Sequence, residues 1–368
     1  MRRLKSKHVH KGLSKLLQTI LLIVALVVNL MFVLSLLSSY LSGRILLPAV
    51  LGLIFPLVFI LEVIVLLYWT FRKKWIWAGI NLILLIFSLD SLFTYMPMHG
   101  PRESIPITDS LKVISYNVNA FDFVSHKKTD PNPILKYLKN SDADIIFLQE
   151  AHLLSVSLKQ LKSYLNEYDY IFDDNAQPDR GSRLMVISKW PIIKTERISY
   201  PSQFNGSYAY WIAYKGREIL AVNNHLESFR LTREDQIQYK ALAKNGEANE
   251  LWGQAAKKLI PAYAKRALQA DEVHRFISNS NAKYVICVGD FNDTPISYAR
   301  HRIADGLKDA FKEAGKGPGF SFNFQSKFVK ARIDHIMHSK NILARRCYVD
   351  NSISTSDHYP IVAILGFQ

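Results

Sequence analysis

The residues best equipped for chemistry lie at the ends of apolar stretches. Val285–Asp293 reads Val-Ile-Cys-Val-Gly-Asp-Phe-Asn-Asp. Val285 to Val288 are apolar and mostly β-branched, as an interior strand requires. Gly289 lets the backbone turn, and Asp290, Asn292 and Asp293 follow at once. A carboxylate and a carboxamide delivered there suit a hard cation or a phosphate.

Other segments end the same way. Leu111–Tyr116 runs into Asn117, Asp144–Leu148 into Gln149-Glu150, and Glu218–Asn223 into Asn224-His225. Arg332–Met337 alternates like a strand and carries Asp334, while Ser356-Asp357-His358 precedes the strand-like Ile361–Leu365. Glu150, Asp357, Asp290 and the asparagines Asn117 and Asn292 offer the oxygen ligands that Mg²⁺ or Mn²⁺ prefers. His358 can act at a phosphate, with Asp334 holding its imidazole in one tautomer. A cation and two histidines, His225 and His358, together suit an in-line displacement at phosphorus. Each residue alone has a plainer reading: Asn117 as a turn cap, Glu150 as a first-turn helix acid, Asp334 as a cross-strand partner of Arg332, Asp293 as a loop-turn residue.

These segments alternate with helical ones at Pro133–Lys139, Leu158–Leu165, Thr232–Lys244 and Leu251–Ser278. Leu184–Ile187 is a further strand, and Tyr208–Tyr214 pairs through Gly216 as a hairpin with the strand ending at Asn223. Strands and helices do not follow a strict βαβ repeat. The expected fold is α/β, a four-layer sandwich of two mixed β-sheets flanked by helices.

The set Ser-Tyr-Asn117, Leu-Gln-Glu150, Asn224-His225-Leu226, Gly-Asp290-Phe-Asn292, Arg-Ile-Asp334-His-Ile and Ser-Asp357-His358 resembles the endonuclease/exonuclease/phosphatase superfamily, DNase I-like, over about residues 110–367. The resemblance implies metal-assisted hydrolysis of a phosphate ester, with one or two ions. By position, Glu150 is similar to the metal-ligating glutamate, with Asn117 beside it and Asp357 as a further metal-site acid. Asp290 resembles the aspartate that acts on the attacking water, and Asn292 its phosphate-contacting companion. His358 resembles the histidine on the scissile phosphate, Asp334 its carboxylate partner and His225 the second histidine. Asn224 and Arg183 are expected to bind substrate. So is His335, which stands where an aromatic residue is common.

Residues 1–100 are of another kind. Leu16–Leu37, Ile45–Tyr68 and Trp75–Tyr95 are apolar runs of about the length that crosses a bilayer, broken among charged residues by Glu62 and Asp90 only. We expect three transmembrane helices, at about 16–37, 45–68 and 75–95, within a membrane anchor spanning 1–96. A linker over 97–109 holds Pro97, Pro101 and Pro106, and the catalytic domain spans 110–368. A cleaved signal peptide is not expected, because the first run is too long and two more follow. The basic N-terminus and Arg72-Lys73-Lys74 place both in the cytoplasm, and three crossings put the catalytic domain on the outer side. Asp90 is expected near the membrane edge and Glu62 facing another helix.

The chain carries 46 Lys and Arg against 31 Asp and Glu; ten of those bases and two of those acids fall in residues 1–100. The rest is mildly basic, compatible with a polyanionic substrate without demanding one. Cys287 and Cys347 sit in strand-like contexts and read as buried thiols. Three functions follow. The first is a nuclease-like phosphodiesterase, with Arg180, Arg183, Lys189 and Arg197 meeting nucleic-acid phosphates. The second is a sphingomyelinase-like hydrolase of a lipid head group, with Phe320, Phe322, Phe324 and Phe328 near the bilayer. The third is a membrane scaffold with a vestigial fold, disfavoured by the complete constellation. No protein partner is inferred.

Overall fold

A computed structural model of the chain describes residues 2–41, 45–102, 109–122, 131–174, 183–202, 205–230, 232–323 and 330–368, with side chains from Lys15 onward except those of Arg233 and Gln236. Arg180, Phe324, Phe328, Arg44 and the centre of the linker lie outside the described residues.

The described residues up to Tyr95 form α1 (Arg2–Leu37), α2 (Leu46–Leu53), α3 (Phe55–Phe71), α4 (Trp75–Phe87) and α5 (Leu89–Tyr95). Lys15–Leu37 is one helix long and apolar enough to cross a membrane. Each of the other two runs is a bent pair of helices, so the described residues hold one such helix, or up to three spans if each bent pair is one. The second bends by 81° between α2 and α3, and the third by 48° between α4 and α5. Pro56, in the first turn of α3, explains the first break, since its ring and missing N–H stop α2. At the second, Ser88 Oγ turns back onto the carbonyl of Leu85 (2.8 Å), a bond that bends helices.

Two six-stranded mixed sheets follow. One has the order β13-β14-β1-β2-β4-β3 and the other β5-β6-β7-β8-β12-β9. In the first, β1 is Ser110–Asn117, β2 Ile145–Gln149, β3 Tyr170–Asp173, β4 Met185–Ser188, β13 Ile342–Val349 and β14 Ile361–Phe367. In the second, β5 is Ile192–Arg197, β6 Gly206–Tyr214, β7 Arg217–His225, β8 Tyr284–Asp290, β9 Lys308–Asp309 and β12 Asp334–His338. A short ribbon pairs β10 (Phe322–Asn323) with β11 (Lys330–Ala331).

The sheets face each other across a core that includes Val113, Phe147, Val186, Ile212, Ile286 and Ile336. Helices α6 (Pro133–Asn140) and α7 (Leu158–Tyr164) cover the outer face of the first sheet through Leu135, Leu138 and Leu161. Helix α8 (Arg233–Asn245) packs against α9 (Ala248–Asn279), and α9 and α10 (Tyr298–Ile303) cover the second sheet through Ala270, Val273 and Ile303. The expected four layers are present. A last helix, α11 (Ala310–Ala314), adds Phe311 to the inter-sheet core. Asp309 caps α11 through the N–H groups of Phe311 and Lys312 and ion-pairs with Arg300 at 2.6 Å.

The parallel pairs align the strand ends. Asn117 stands opposite Gln149 in the first sheet, and His225 opposite Asp290 in the second. Asp334 enters antiparallel, also opposite Asp290. The β7–β8 approach depends on Gly289, whose φ is +133° and whose absent Cβ would lie 2.0 Å from the Asn224 carbonyl oxygen. Gly289→Ala is therefore expected to destabilise the protein by at least about 2 kcal/mol, seen as a lower unfolding midpoint of the detergent-solubilised chain.

Candidate active site

The site lies where the two sheets present those strand ends. Directly beneath it a fully buried polar bridge joins the sheets: Gln149 Nε2 donates to Asn223 Oδ1 (2.7 Å) and Ser115 Oγ (3.1 Å), and Asn223 Nδ2 donates to the Leu148 carbonyl (3.0 Å). Buried amides must find such partners, and here they fix one sheet's height against the other. Sequence reasoning passed over this bridge, although Gln149 and Asn223 stand immediately before Glu150 and Asn224-His225 in the motifs.

Above the bridge, Asn117 Nδ2 donates to Glu150 Oε1 and to Asp290 Oδ2, both at 3.1 Å. Its oxygen accepts from the Asn119 N–H at 3.1 Å, so the amide presents nitrogen, not oxygen, to the carboxylates. His225 Nε2 is 3.5 Å from Glu150 Oε1 and 3.7 Å from Asp290 Oδ2. His358 Nε2 approaches the same Asp290 oxygen at 3.6 Å, while its Nδ1 is 2.8 Å from Asp334 Oδ2. Asp290 Oδ1 accepts from the Asn292 N–H (2.8 Å), and Asn292 Nδ2 donates to the Leu226 carbonyl (2.9 Å). Glu150 and Asn292 have φ of 50° and 52°, a left-handed geometry that sharply redirects the chain beyond each strand.

Serines hold the second half of the site. Ser356 Oγ donates to the Asn117 carbonyl (2.8 Å) and accepts from the His358 N–H (3.2 Å). Ser321 Oγ accepts from the N–H groups of Ile333 and Asp334, both at 3.1 Å. The Phe322 ring lies 4.9 Å from that of His358. Asp357 follows Ser356 and raises the pKa of nearby Glu150.

Burial opposes charge here. It is the main cause that raises the carboxyls of Asp290 and Glu150, offset in part at Asp290 by His358 and at Glu150 by the Asn117 amide. Burial also lowers His225, against the pull of Asp290, and so favours the neutral ring. At His358 burial opposes the charge, but Asp334 and Asp290 outweigh it and hold the ring well above its usual value. The buried second oxygen of Asp334 has no hydrogen-bond partner among the described residues.

Two of the predicted substrate residues point away from the cleft, and strand alternation explains both. His225 faces the cleft, so Asn224 faces away; its amide donates to the Val288 carbonyl (2.8 Å) and its oxygen accepts from Ser207 Oγ (2.7 Å). Asp334 faces the cleft, so His335 lies behind it, with Nε2 3.0 Å from the Asp293 carbonyl oxygen and burial lowering its ring to about 4. Arg183 is ion-paired with Asp173. Asp293, read as a turn residue, does accept from the Thr294 N–H (3.0 Å) and also forms a buried ion pair with Arg266 of α9 at 2.7 Å. Arg266 further donates to the Glu227 carbonyl (2.9 Å). It ties the loops after β7 and β8 together from a helix with no motif to announce it.

The donor set fits a hard divalent cation. Glu150 and Asp290 point oxygens at one amide, and Glu150 is about one-third exposed at the mouth. Asp290, Asp334 and His358 also cluster, their ligand atoms within 4.8 Å of one another. The neighbouring carboxylates Asp334 and Asp290 favour the protonated His358 ring, whereas a metal needs deprotonated ligands.

Two mixed sheets that meet in carboxylates and histidines define a phosphoester hydrolase of the DNase I-like fold. Residues 114–358 match the model of the endonuclease/exonuclease/phosphatase family. The chain belongs to this family and is a metal-dependent hydrolase acting on phosphoester bonds. A second family model, for a domain of unknown function, matches residues 18–95. Comparison with curated proteins found no match. Among solved structures, a humanized TDP2 of D. rerio shares the fold with a TM-score of 0.52 and 19% identity, covering 70% of this chain and 99% of its own. TDP2 of D. rerio complexed with single strand DNA product gives 0.51 and 18%, covering 70% and 99%. A truncated Caenorhabditis elegans TDP2 gives 0.50 and 20%, covering 70% and 98%.

Asp334→Asn removes the charge that holds His358 protonated. The His358 ring is expected to titrate at lower pH in the variant, read by NMR of labelled imidazole. The alkaline limb of the pH–rate profile should move down with it.

Proposed function

We propose that this chain is a membrane-anchored phosphodiesterase using Mg²⁺ or Mn²⁺, with residues 1–96 as anchor, 97–109 as linker and 110–368 as the catalytic unit. The carrying observation is the convergence of Glu150, Asp290, His225 and His358, with Asn117 and Asp334 holding them. Bound at Glu150, with Asn117 and Asp357 beside it, the cation would neutralise phosphate oxygens. Asp290 orients the attacking water and takes its proton. Asn292 contacts the phosphate. Protonated His358, held by Asp334, stabilises charge building on the phosphoryl oxygens, and His225 hydrogen-bonds from the opposite side. The N-terminus lies in the cytoplasm and the catalytic unit outside, which the basic residues at the N-terminal end of α1 and between α3 and α4 support.

The geometry favours a lipid head group as substrate. The helices attach at the site's end of the second sheet. Ile296, six residues beyond Asp290, packs with Phe32, Leu51 and Phe55, and six residues reach at most about 20 Å. Ser38 and Ser39 both donate to the Ile296 carbonyl, at 2.9 and 2.6 Å. Arg332, two residues before Asp334, donates to the Thr94 carbonyl. The cleft thus opens close to the bilayer. A nuclease-like activity is the second reading, favoured by the fold shared with TDP2, one structure of which holds a single strand DNA product. Against it, Arg183 and Lys189, expected on nucleic-acid phosphates, are paired with Asp173 and Asp142.

The full chain in vesicles, given Mg²⁺, should hydrolyse a lipid phosphodiester faster than single-stranded DNA. EDTA should abolish the activity, and Asp290→Ala and His358→Ala should each lower it by at least about 100-fold. Variants as active as the parent would sink the hydrolase roles, and preference for DNA would favour the nuclease. A reporter at the C-terminus should be active only outside the cytoplasm; a cytoplasmic signal would overturn the orientation.

A further inference from the structure

The helical hairpin inserted between β7 and β8 has a surface that the catalytic site does not use. Helix α9 is 32 residues long, but its fully buried positions begin only at Ala262. The N-terminal half extends beyond the sheet, at the end where β8 delivers Asp290, since α9 runs back antiparallel to the strand it feeds. Trp252, Ala256, Leu259 and Tyr263 recur at helical spacing and form one apolar stripe. At Tyr263 the stripe is buried and meets α2, with the phenol oxygen 3.5 Å from the Ala49 carbonyl. Eleven residues earlier, roughly 16 Å along the axis, Trp252 is 48% exposed. Ile260 and, on α8, Ile237 are exposed as well.

Helix α2 says what covers the stripe. If α3 crosses the bilayer, α2, bent 81° from it, lies close to the membrane plane. Leu47 of α2 is exposed too, so the apolar surface continues from the membrane helices onto α9. The same hairpin exposes Lys240, Lys244 and Lys257. A tryptophan among lysines at that level matches the head-group zone of a bilayer.

We propose that the α8–α9 hairpin is a bilayer-surface arm, its stripe seated among lipid head groups beside the cleft. The proposal rests on the membrane reading given above and not on the identity of the substrate. The root of the arm is bolted to the catalytic loops by Arg266, which holds Asp293 and the Glu227 carbonyl. Seating the arm on lipid thereby sets the height of the cleft above the bilayer.

The test uses the full chain in phosphatidylcholine vesicles. Cys287 and Cys347 are buried, so a bimane label on Trp252→Cys reports that position selectively. Lys194→Cys, on the exposed edge strand β5, is the reference. Brominated lipid should quench the label at 252 and not at 194, and aqueous iodide should do the reverse. Equal iodide quenching at both positions, with none from brominated lipid, overturns the proposal. Shielding from both quenchers with cross-linking between copies overturns it too, in favour of a second copy of the chain. In parallel, Trp252→Glu should lower hydrolysis of a vesicle-borne phosphodiester by roughly 10-fold and leave a small soluble diester unchanged. An equal loss on both substrates would mean a merely structural role. The quenching readout stands even if no substrate turns over, so failure of the arm and failure of the hydrolase reading are told apart.

Discussion

Two carboxylates, one from each sheet, converge on a single amide. Asn117 gives both amide hydrogens, one to Glu150 and one to Asp290, and these like charges would otherwise repel in a cleft that burial makes costly for both. The arrangement requires that β1–β2 and β7–β8 end at the same height. The buried Gln149–Asn223 bridge and the close approach at Gly289 supply that requirement. Everything else in the site hangs from it: His225 opposite Asp290 by register, His358 reaching the same oxygen, and Asp334 entering from the neighbouring strand.

The attachment of the N-terminal helices follows the same logic. They grip the chain a few residues beyond Asp290 and just before Asp334, through Ile296 and Arg332. Arg332 is fully buried, its guanidinium over the Phe311 ring at 4.1 Å and bonded to the Pro318 and Thr94 carbonyls. A buried cation with carbonyl partners is costly to disturb, so this contact joins the helices to the catalytic strands. Within the helices, Glu62 is buried facing Asn29 of α1, and so faces another helix as expected. Asp90 pairs with Lys312 at 2.5 Å on the exposed side.

Much of the fold was legible because its interior strands are short apolar runs with sharp polar ends. Val285–Val288 and Leu111–Tyr116 are examples, and the hairpin over Tyr208–Asn223 was marked by Gly216. The strands that escaped are those whose burial is one-sided or broken. Ile342–Val349 carries Arg345 and Arg346 at a bulge, and Ile192–Arg197 is an edge strand with exposed Lys194. The helical runs over 45–68 and 75–95 were legible as apolar but not as bent. Hydropathy measures composition along the chain, whereas the bends at Ile54 and Ser88 come from the ring and missing N–H of Pro56 and from the Ser88 hydroxyl on the Leu85 carbonyl.

By itself the sequence determined which side chains stand at strand ends, and so the donor set for metal-assisted phosphoester hydrolysis. Only the tertiary structure decided which of them share a cleft. Adjacent residues in a strand point to opposite faces, so of Asn224 and His225, or Asp334 and His335, only one can face the site. The sequence carries the period of that alternation. Its phase is set by which face meets the other sheet, and that is a property of packing.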